Sequence, residues 1–526
     1  MSHDIGGAAG PRRRQARRTG RVIHAAAGVA VLLSAAIGAQ ARADATRPPS
    51  TAEQEKGMRA GTPFQEPATA DATAADGESV TVTLGATRSL FDVSGRPVHG
   101  ATYTGSFVAP TIRVNPGSTI TVRLVNELPV ATNLHFHGLH VSPEGQSDDP
   151  FLCVAPGRST TYRLAVPAGH PQGTFWYHSH AMGPSCPDPA APSAPGTPGD
   201  VENQVFAGLS GALLVGDDRT LLPPELRQVT AHTLVLKDVQ LDPAGRIVQN
   251  TATTSIDSGN PTVRLVNGRL RPVLEMRPDE TQLWRLVNAG ADIFYRLHLD
   301  GHRFTVVGED GTPVARVTTA DTLLLPPGKR YDVLVTADPH PTRTTLRTTA
   351  YSNGPQGDAY PDTELATVAV TGAPVHRLPD VTGALPTAPA DLAAAPVARR
   401  RTVDLTESAD GNTFYINGKR FTDGSSVFAT PARLGTVEEW TIRNHSGEDH
   451  PIHLHTTSFQ VVSVQGAPQP YTHRQDTVPV PHAVDGTPGT TVIRVAFADY
   501  PGRWMFHCHI AAHEDHGMMS YLDVVP

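Results

Sequence analysis

Four His-x-His pairs and one cysteine are the residues of this chain best suited to chemistry. The pairs are His135/His137, His178/His180, His453/His455 and His507/His509, with Cys508 as the middle residue of the last. Chance placement of 24 histidines among 526 residues gives about one such pair. Two pairs precede residue 181, two follow residue 452 and none lies between. In a β-strand, side chains alternate faces with period two. Both histidines of a pair on a strand then point the same way, and Cys508 points the other way from His507 and His509. Imidazoles bind Cu, Zn, Fe and Ni alike, whereas a thiolate narrows the choice. His450 precedes the third pair, and His513 and Met518 follow Cys508. Two imidazoles, a thiolate and a weak thioether make the trigonal blue-copper set. Zinc would more typically use CxxC-type knots, which this sequence lacks. One strand would therefore serve two metal sites, a soft redox centre and an all-imidazole cluster.

The elements that must position these residues show up as a repeat. Thr121-Val-Arg-Leu-Val-Asn126 is followed by Leu134-His135-Phe136-His137. Gln282-Leu-Trp-Arg-Leu-Val-Asn288 is followed by Leu297-His298-Leu299-Asp300, and Glu439-Trp-Thr-Ile-Arg-Asn444 by Ile452-His453-Leu454-His455. The asparagines are 162 and 156 residues apart, the period of a duplicated domain rather than a solenoid unit. A second echo joins only the outer copies: Gly173-Thr-Phe-Trp-Tyr-His178-Ser-His180 matches Gly502-Arg-Trp-Met-Phe-His507-Cys-His509. The middle copy has Asp300 where the outer ones have His137 and His455, so it keeps the frame without the ligands. Short alternating strands with turn signals predict an all-β chain of three β-sandwiches. The expected boundaries are 78–220, 221–375 and 401–526, with an Ala/Pro-rich linker over 376–400.

Charged residues are only 18% of the chain, and 47 glycines and 47 prolines fit many turns. A net charge of −8 without basic patches interleaved with aromatics argues against nucleic acid. Arg12, Arg13, Arg14, Arg17, Arg18 and Arg21 precede an apolar run from Val22 to Gly38, and Ala41-Arg42-Ala43 fits a cleavage site. Residues 1–43 therefore read as an export signal, with paired arginines compatible with the twin-arginine route, and the mature chain is expected to have no stable membrane span. Residues 44–77 lack periodicity and read as a disordered linker. In an exported chain Cys153 and Cys186 are expected to form a disulfide.

His135-Phe-His-Gly138, Trp176-Tyr-His-Ser-His180, His450-Pro-Ile-His-Leu-His455 and His507-Cys-His-Ile-Ala-Ala-His513-Glu-Asp-His-Gly-Met518 resemble the four copper motifs of the multicopper oxidases. The resemblance extends to Arg330-Tyr-Asp-Val-Leu-Val335, and the ending His513-Glu514-Asp515-His516-Gly517-Met518-Met519 is most similar to laccase-type members such as spore-coat laccases and bilirubin oxidases. It implies three cupredoxin-like Greek-key sandwiches, with a trinuclear copper site between domains 1 and 3. It also implies four copper ions. His450, Cys508 and His513 would hold type 1 copper, with Met518 axial and Met519 the neighbouring alternative. His135 and His453 would hold type 2 copper. His137, His178, His180, His455, His507 and His509 would hold the type 3 pair. The implied reaction takes single electrons from a small phenolic or aromatic-amine reductant and reduces O2 to water. Glu514 matches a position proposed for proton donation, and Asp148 is the second candidate. Here Asp148-Asp149-Pro150 replaces the usual Asp-Gly. A metal-ion oxidase acting on Cu(I), Mn(II) or Fe(II) is the alternative; seven methionines without a cluster weigh against the cuprous form. A copper-free scaffold of the same fold is a more distant reading, since all twelve ligand positions are filled.

Overall fold

A computed structural model of the chain describes residues 48–70, 79–181, 200–251, 254–421 and 426–526. The expected export signal and Cys186 lie outside the described residues. Among the described residues no helix is long and apolar enough to cross a membrane.

The fold is three cupredoxin-like sandwiches in sequence. In the first, a four-stranded sheet (Arg96–Tyr103, Ser79–Val93, Thr119–Asn126, Ser159–Ala165) faces a three-stranded one (Ala109–Val114, Ser210–Val215, Gly173–His178). The second has sheets of five and six strands, and the third of six and five. Side-chain alternation makes the cores: Gly489–Phe497 is buried at every second residue. Thr281–Asn288 departs from that pattern and is buried throughout, because the first sandwich's Gly173–His178 strand packs near its outer face.

The repeated asparagines explain why the three units fold alike. In each unit the strand ending in Asn pairs in parallel with the unit's first strand: Ala86 with Asn126, Leu236 with Asn288, Leu405 with Asn444. Each Asn side chain is fully buried and makes the same bonds. Its oxygen accepts the N–H two residues on, from Leu128, Gly290 or Ser446. Its amide donates to a nearby carbonyl and to a distant one, Val154, Leu325 or Val480. An apolar residue of similar size would leave the partner N–H and carbonyl groups unpaired, at about 1–3 kcal/mol for each one that stays buried.

Two expectations need correction. Residues 48–70, read as part of a disordered linker, are an ordered strap. Thr51–Glu55 is a short helix with a capping box formed by Ser50 and Glu53. Arg271 clamps Glu55 at 2.8 Å, Phe64 N–H donates to Val273 O at 2.8 Å and Ala70 N–H to Thr111 O at 2.9 Å. The strap is held by backbone bonds and caps rather than by a periodic apolar face, which is why its composition looked unstructured. The linker assigned to 376–400 also runs too long, since a strand starts at Val397.

Candidate metal centres

The histidine pairs straddle strand ends rather than lying inside strands. His507 and Cys508 close the strand Gly502–Cys508, and His509 lies just beyond it. His453 is in the strand His450–Leu454 and His455 follows it; His178 ends Gly173–His178, and His180 is two residues on. His135 makes only an isolated bridge, to His178. The alternation nevertheless holds where it matters: His507 and Cys508 serve opposite sides.

On one side, Cys508 Sγ lies 3.6 Å from His450 Nδ1 and 3.7 Å from His513 Nδ1, and those nitrogens are 3.2 Å apart. The circle through the three donors has a radius of about 2.0 Å, the length of a metal–imidazole bond. The far nitrogens are anchored, His450 Nε2 by Ser446 Oγ at 2.8 Å and His513 Nε2 by Glu448 Oε1 at 3.2 Å. Phe414 stacks on His513 with ring centroids 4.0 Å apart. Met518 is fully buried; its backbone closes the loop, with Cys508 N–H donating to its carbonyl and its own N–H to His513 O. Met519 pairs with His507 in the ladder. Burial pulls His450 down to about 3, which keeps its imidazole neutral and able to ligate. Burial pushes the Cys508 thiol well up, so the thiolate needs a bound cation to form.

On the other side, the eight paired histidines converge, all at most 3% exposed. Donor atoms gather within 4.8 Å in the groups His135/His137/His178, His135/His453/His455 and His180/His455/His507. His509 Nε2 reaches His137 Nδ1 at 3.2 Å. One nitrogen of most rings is tied outward: His135 Nδ1 to Asp148, His178 Nδ1 to Ser179 O, His453 Nδ1 to Asp476 O, His507 Nδ1 to Cys508 O. Six ring nitrogens, on His135, His178, His180, His453, His455 and His509, have no hydrogen-bond partner although buried. On His135, His178 and His453 the orphan is Nε2, opposite the tied Nδ1, and metal coordination would satisfy these three at about 1–3 kcal/mol each. His180, His455 and His509 turn Nε2 into the cluster, 3.4 and 3.1 Å from His507 Nε2 and 3.2 Å from His137 Nδ1. Both sites therefore fit metal ions by donor type, spacing and unfilled bonding capacity.

The two candidate acids sit differently. Glu514 is buried, with its oxygens 3.3 Å from His180 Nε2 and 3.0 Å from His507 Nδ1, neither contact aligned as a hydrogen bond. Asp148, rather than its half-buried neighbour Asp149, holds His135: its Oδ1 accepts from the Phe136 N–H at 2.9 Å and lies 3.0 Å from His135 Nδ1. Burial raises the Asp148 carboxyl well above its ordinary value. In the middle sandwich His298 and Asp300 are surface residues, and Asp300 pairs with Arg347.

Several residues at these sites were not picked out from sequence. Asp476 lies beside His137 and His453, Arg330 beside Asp476, and Ser446 and Glu448 behind the trigonal site. Two open cavities of about 590 and 530 Å3 flank His513, with walls that include Glu407, Glu448 and Asp358.

A His–Cys–His trigon joined through one strand to an eight-histidine cluster, on cupredoxin-like sandwiches, defines a copper oxidoreductase that uses O2. Sequence models described as multicopper oxidase match residues 87–194, 230–373 and 395–526, and the chain belongs to that family. Membership implies four copper ions, one type 1, one type 2 and a type 3 pair, and the clusters fit them. The chain is 28% identical to the multicopper oxidase MmcO of Mycobacterium tuberculosis, over 85% of this chain and 88% of that one. It is 27% identical to a laccase of Bacillus subtilis, over 80% and 89%. A solved Campylobacter jejuni protein, described as a multicopper oxidase and metallo-oxidase, shares the fold with a TM-score of 0.73 at 24% identity, covering 89% of this chain and 96% of its own.

Proposed function

We propose that this enzyme is a laccase-like oxidase that couples one-electron oxidation of small phenols or aromatic amines to reduction of O2 to water. The observation that carries this reading is Cys508: its sulfur faces His450 and His513 while its neighbours His507 and His509 enter the histidine cluster. Bound copper would supply one electron at the trigon and three at the cluster, together the four that O2 takes up on reduction to water. We assign His450, Cys508 and His513 to type 1 copper with Met518 axial, His135 and His453 to type 2, and His137, His178, His180, His455, His507 and His509 to type 3. His513 faces the cavities and is the point where a reductant reaches the site. The backbone from Cys508 to His507 and His509 links the two sites covalently. Four protons are consumed per O2, and Glu514, against His180 and His507, is placed to deliver them. Asp148 holds His135 and orients its ring.

A second reading has its own support. The cavity wall beside His513 is acidic, and burial, with Glu407 and Asp358 nearby, pushes the Glu448 carboxyl up to about 8. Crowded carboxylates favour a cationic reductant, which a metal ion would be. Copper quantification with absorption and EPR spectra, followed by O2 uptake on phenols, aromatic amines, Cu(I), Mn(II) and Fe(II), separates the readings. Four coppers per chain with turnover of the metal ions alone would replace the laccase-like assignment. The Arg-rich start of the chain supports export, and in that setting Cys153 and Cys186 are proposed to pair. Intact-mass measurement after alkylation of denatured, copper-free, unreduced protein tests this: one alkylated thiol, Cys508, is expected, and three exclude the bond.

A further inference from the structure

The middle sandwich has no histidine pair, yet its segment Gly328-Lys329-Arg330 reaches the histidine cluster. Gly328 adopts φ +85°, and a Cβ there would come within 2.9 Å of His509 Cδ2 and 3.0 Å of His137 Cε1. No side chain fits between this turn and the two rings. Arg330, fully buried, donates from Nη1 and Nη2 to Asp476 Oδ1 and Oδ2 at 2.8 and 2.7 Å. Its Nε donates to Thr174 O of the first sandwich at 3.2 Å, and Nη1 also to Gly328 O at 3.1 Å. Asp476 in turn sets its Oδ1 3.1 Å from His137 Nε2 and its backbone oxygen 2.9 Å from His453 Nδ1. Asp310 completes the network, accepting from Lys329 Nζ at 2.9 Å and from the Asp476 and Thr477 N–H groups at 3.1 and 3.2 Å.

We propose that Arg330 is a positioning residue for the copper cluster, acting through Asp476 on one imidazole from each histidine-bearing sandwich. A carboxylate hydrogen-bonded to a ligating imidazole fixes its tautomer and ring orientation. The bidentate guanidinium fixes the plane of that carboxylate, which a point-charge cation cannot do. The Thr174 bond makes one side chain register all three sandwiches at the place where two of them must present histidines together. The middle unit, which has no histidine pair of its own, thus contributes to ligand geometry.

The inference rests on the trinuclear reading of the cluster, which a count of four coppers per wild-type chain checks separately. Wild-type, Arg330→Met, Asp476→Asn and Arg285→Met holoenzymes would be titrated with a copper chelator. Blue absorption reports the Cys508 site, and EPR with total copper reports the histidine cluster. Arg285 is a second buried arginine, paired with Asp218 rather than with Asp476, and controls for loss of a buried ion pair. Arg330→Met and Asp476→Asn should release cluster copper at about 10–100-fold lower chelator concentration, with the blue site stripped as in wild type. Arg285→Met should match wild type at both sites. Cluster copper held as tightly as in wild type, or lost in parallel with the blue site, overturns the proposal. If Arg330→Met gives no folded protein, the isosteric Asp476→Asn decides by the same criterion.

Discussion

Gly138 follows the second histidine of the first motif, and its replacement by alanine probes how tightly the cluster's surroundings are built. Gly138 adopts φ +86°, and a Cβ there would lie 2.5 Å from Asp476 Oδ2, 3.1 Å from Phe175 Cδ1 and in collision with Arg330 Nη2. Gly145, a few residues on, has φ +71° and nothing within 4 Å of the same added atom. Both substitutions force alanine into the left-handed region, at about 1–2 kcal/mol, offset by about 0.4–1 kcal/mol from the stiffer unfolded chain. Only Gly138→Ala adds overpacking, worth about 1–3 kcal/mol where neighbours cannot retreat. Here they cannot, because Arg330 and Asp476 are buried and bonded to each other, to Thr174 and to Gly328. With a guanidinium m-value of about 4 kcal/mol/M, the Gly138→Ala midpoint should fall about 0.25–0.75 M below that of Gly145→Ala. The measurement uses metal-free protein, so that copper binding does not contribute, and compares midpoints because a three-domain chain need not unfold in one step. Coincident midpoints would refute the reasoning, since they would mean that the Arg330–Asp476 pair yields to a methyl group without cost.

Cys508→Ser should abolish blue absorption and substrate oxidation while far-UV circular dichroism stays unchanged, because serine fits the same buried space; a blue, active variant would overturn the type 1 assignment. Glu514→Gln should slow reoxidation by O2 more than reduction by substrate, measured as separate half-reactions by stopped flow, and equal slowing of both would count against a proton-delivery role. Lys237 is buried, donates to Phe107 O, Val205 O and Ser210 Oγ, and burial pulls its ammonium down to about 7. The unfolded chain then holds the extra proton from about pH 7 to about pH 10, so this group makes wild-type stability rise with pH across that window by at most about 1.4 kcal/mol per unit, with no slope below it. Lys237→Met should remove that rise, and an unchanged slope between pH 7 and 9.5 in thermal or denaturant unfolding would contradict it.

The sequence disclosed those features that repeat or alternate locally. Period-two spacing placed Cys508 and His507 toward different sites without any knowledge of the fold, and the Asn126/Asn288/Asn444 series marked equivalent positions because each does the same buried bonding. The outward partners of the histidines were not legible. Asp476 and Arg330 are 146 positions apart and meet only through domain docking. Arg330 stood in a recognisable segment, but nothing in the one-dimensional pattern says that its guanidinium leaves its own sandwich. Glu448 lies two residues before His450, yet the sequence does not single it out, since its contact is with His513 rather than with that neighbour. The ordered strap at 48–70 was missed for a different reason: capping and backbone bonding leave little hydrophobic period to read.

The two metal centres differ in what they require of the fold. His450, Cys508 and His513, with Ser446 and Glu448 behind them, come from one stretch of the third sandwich, so that site needs only its own domain. The histidine cluster takes His135, His137, His178 and His180 from the first sandwich and His453, His455, His507 and His509 from the third, and its geometry exists only while the sandwiches are docked. Docking is reinforced close to the cluster: Asp515 accepts the Val201 and Glu202 N–H groups at 3.0 Å each, and Arg330 ties Thr174 to Asp476. Perturbations that loosen domain contacts should therefore remove the O2-reducing function before the electron-accepting one. A partly destabilised enzyme would remain blue and reducible by substrate, yet fail to be reoxidised by O2.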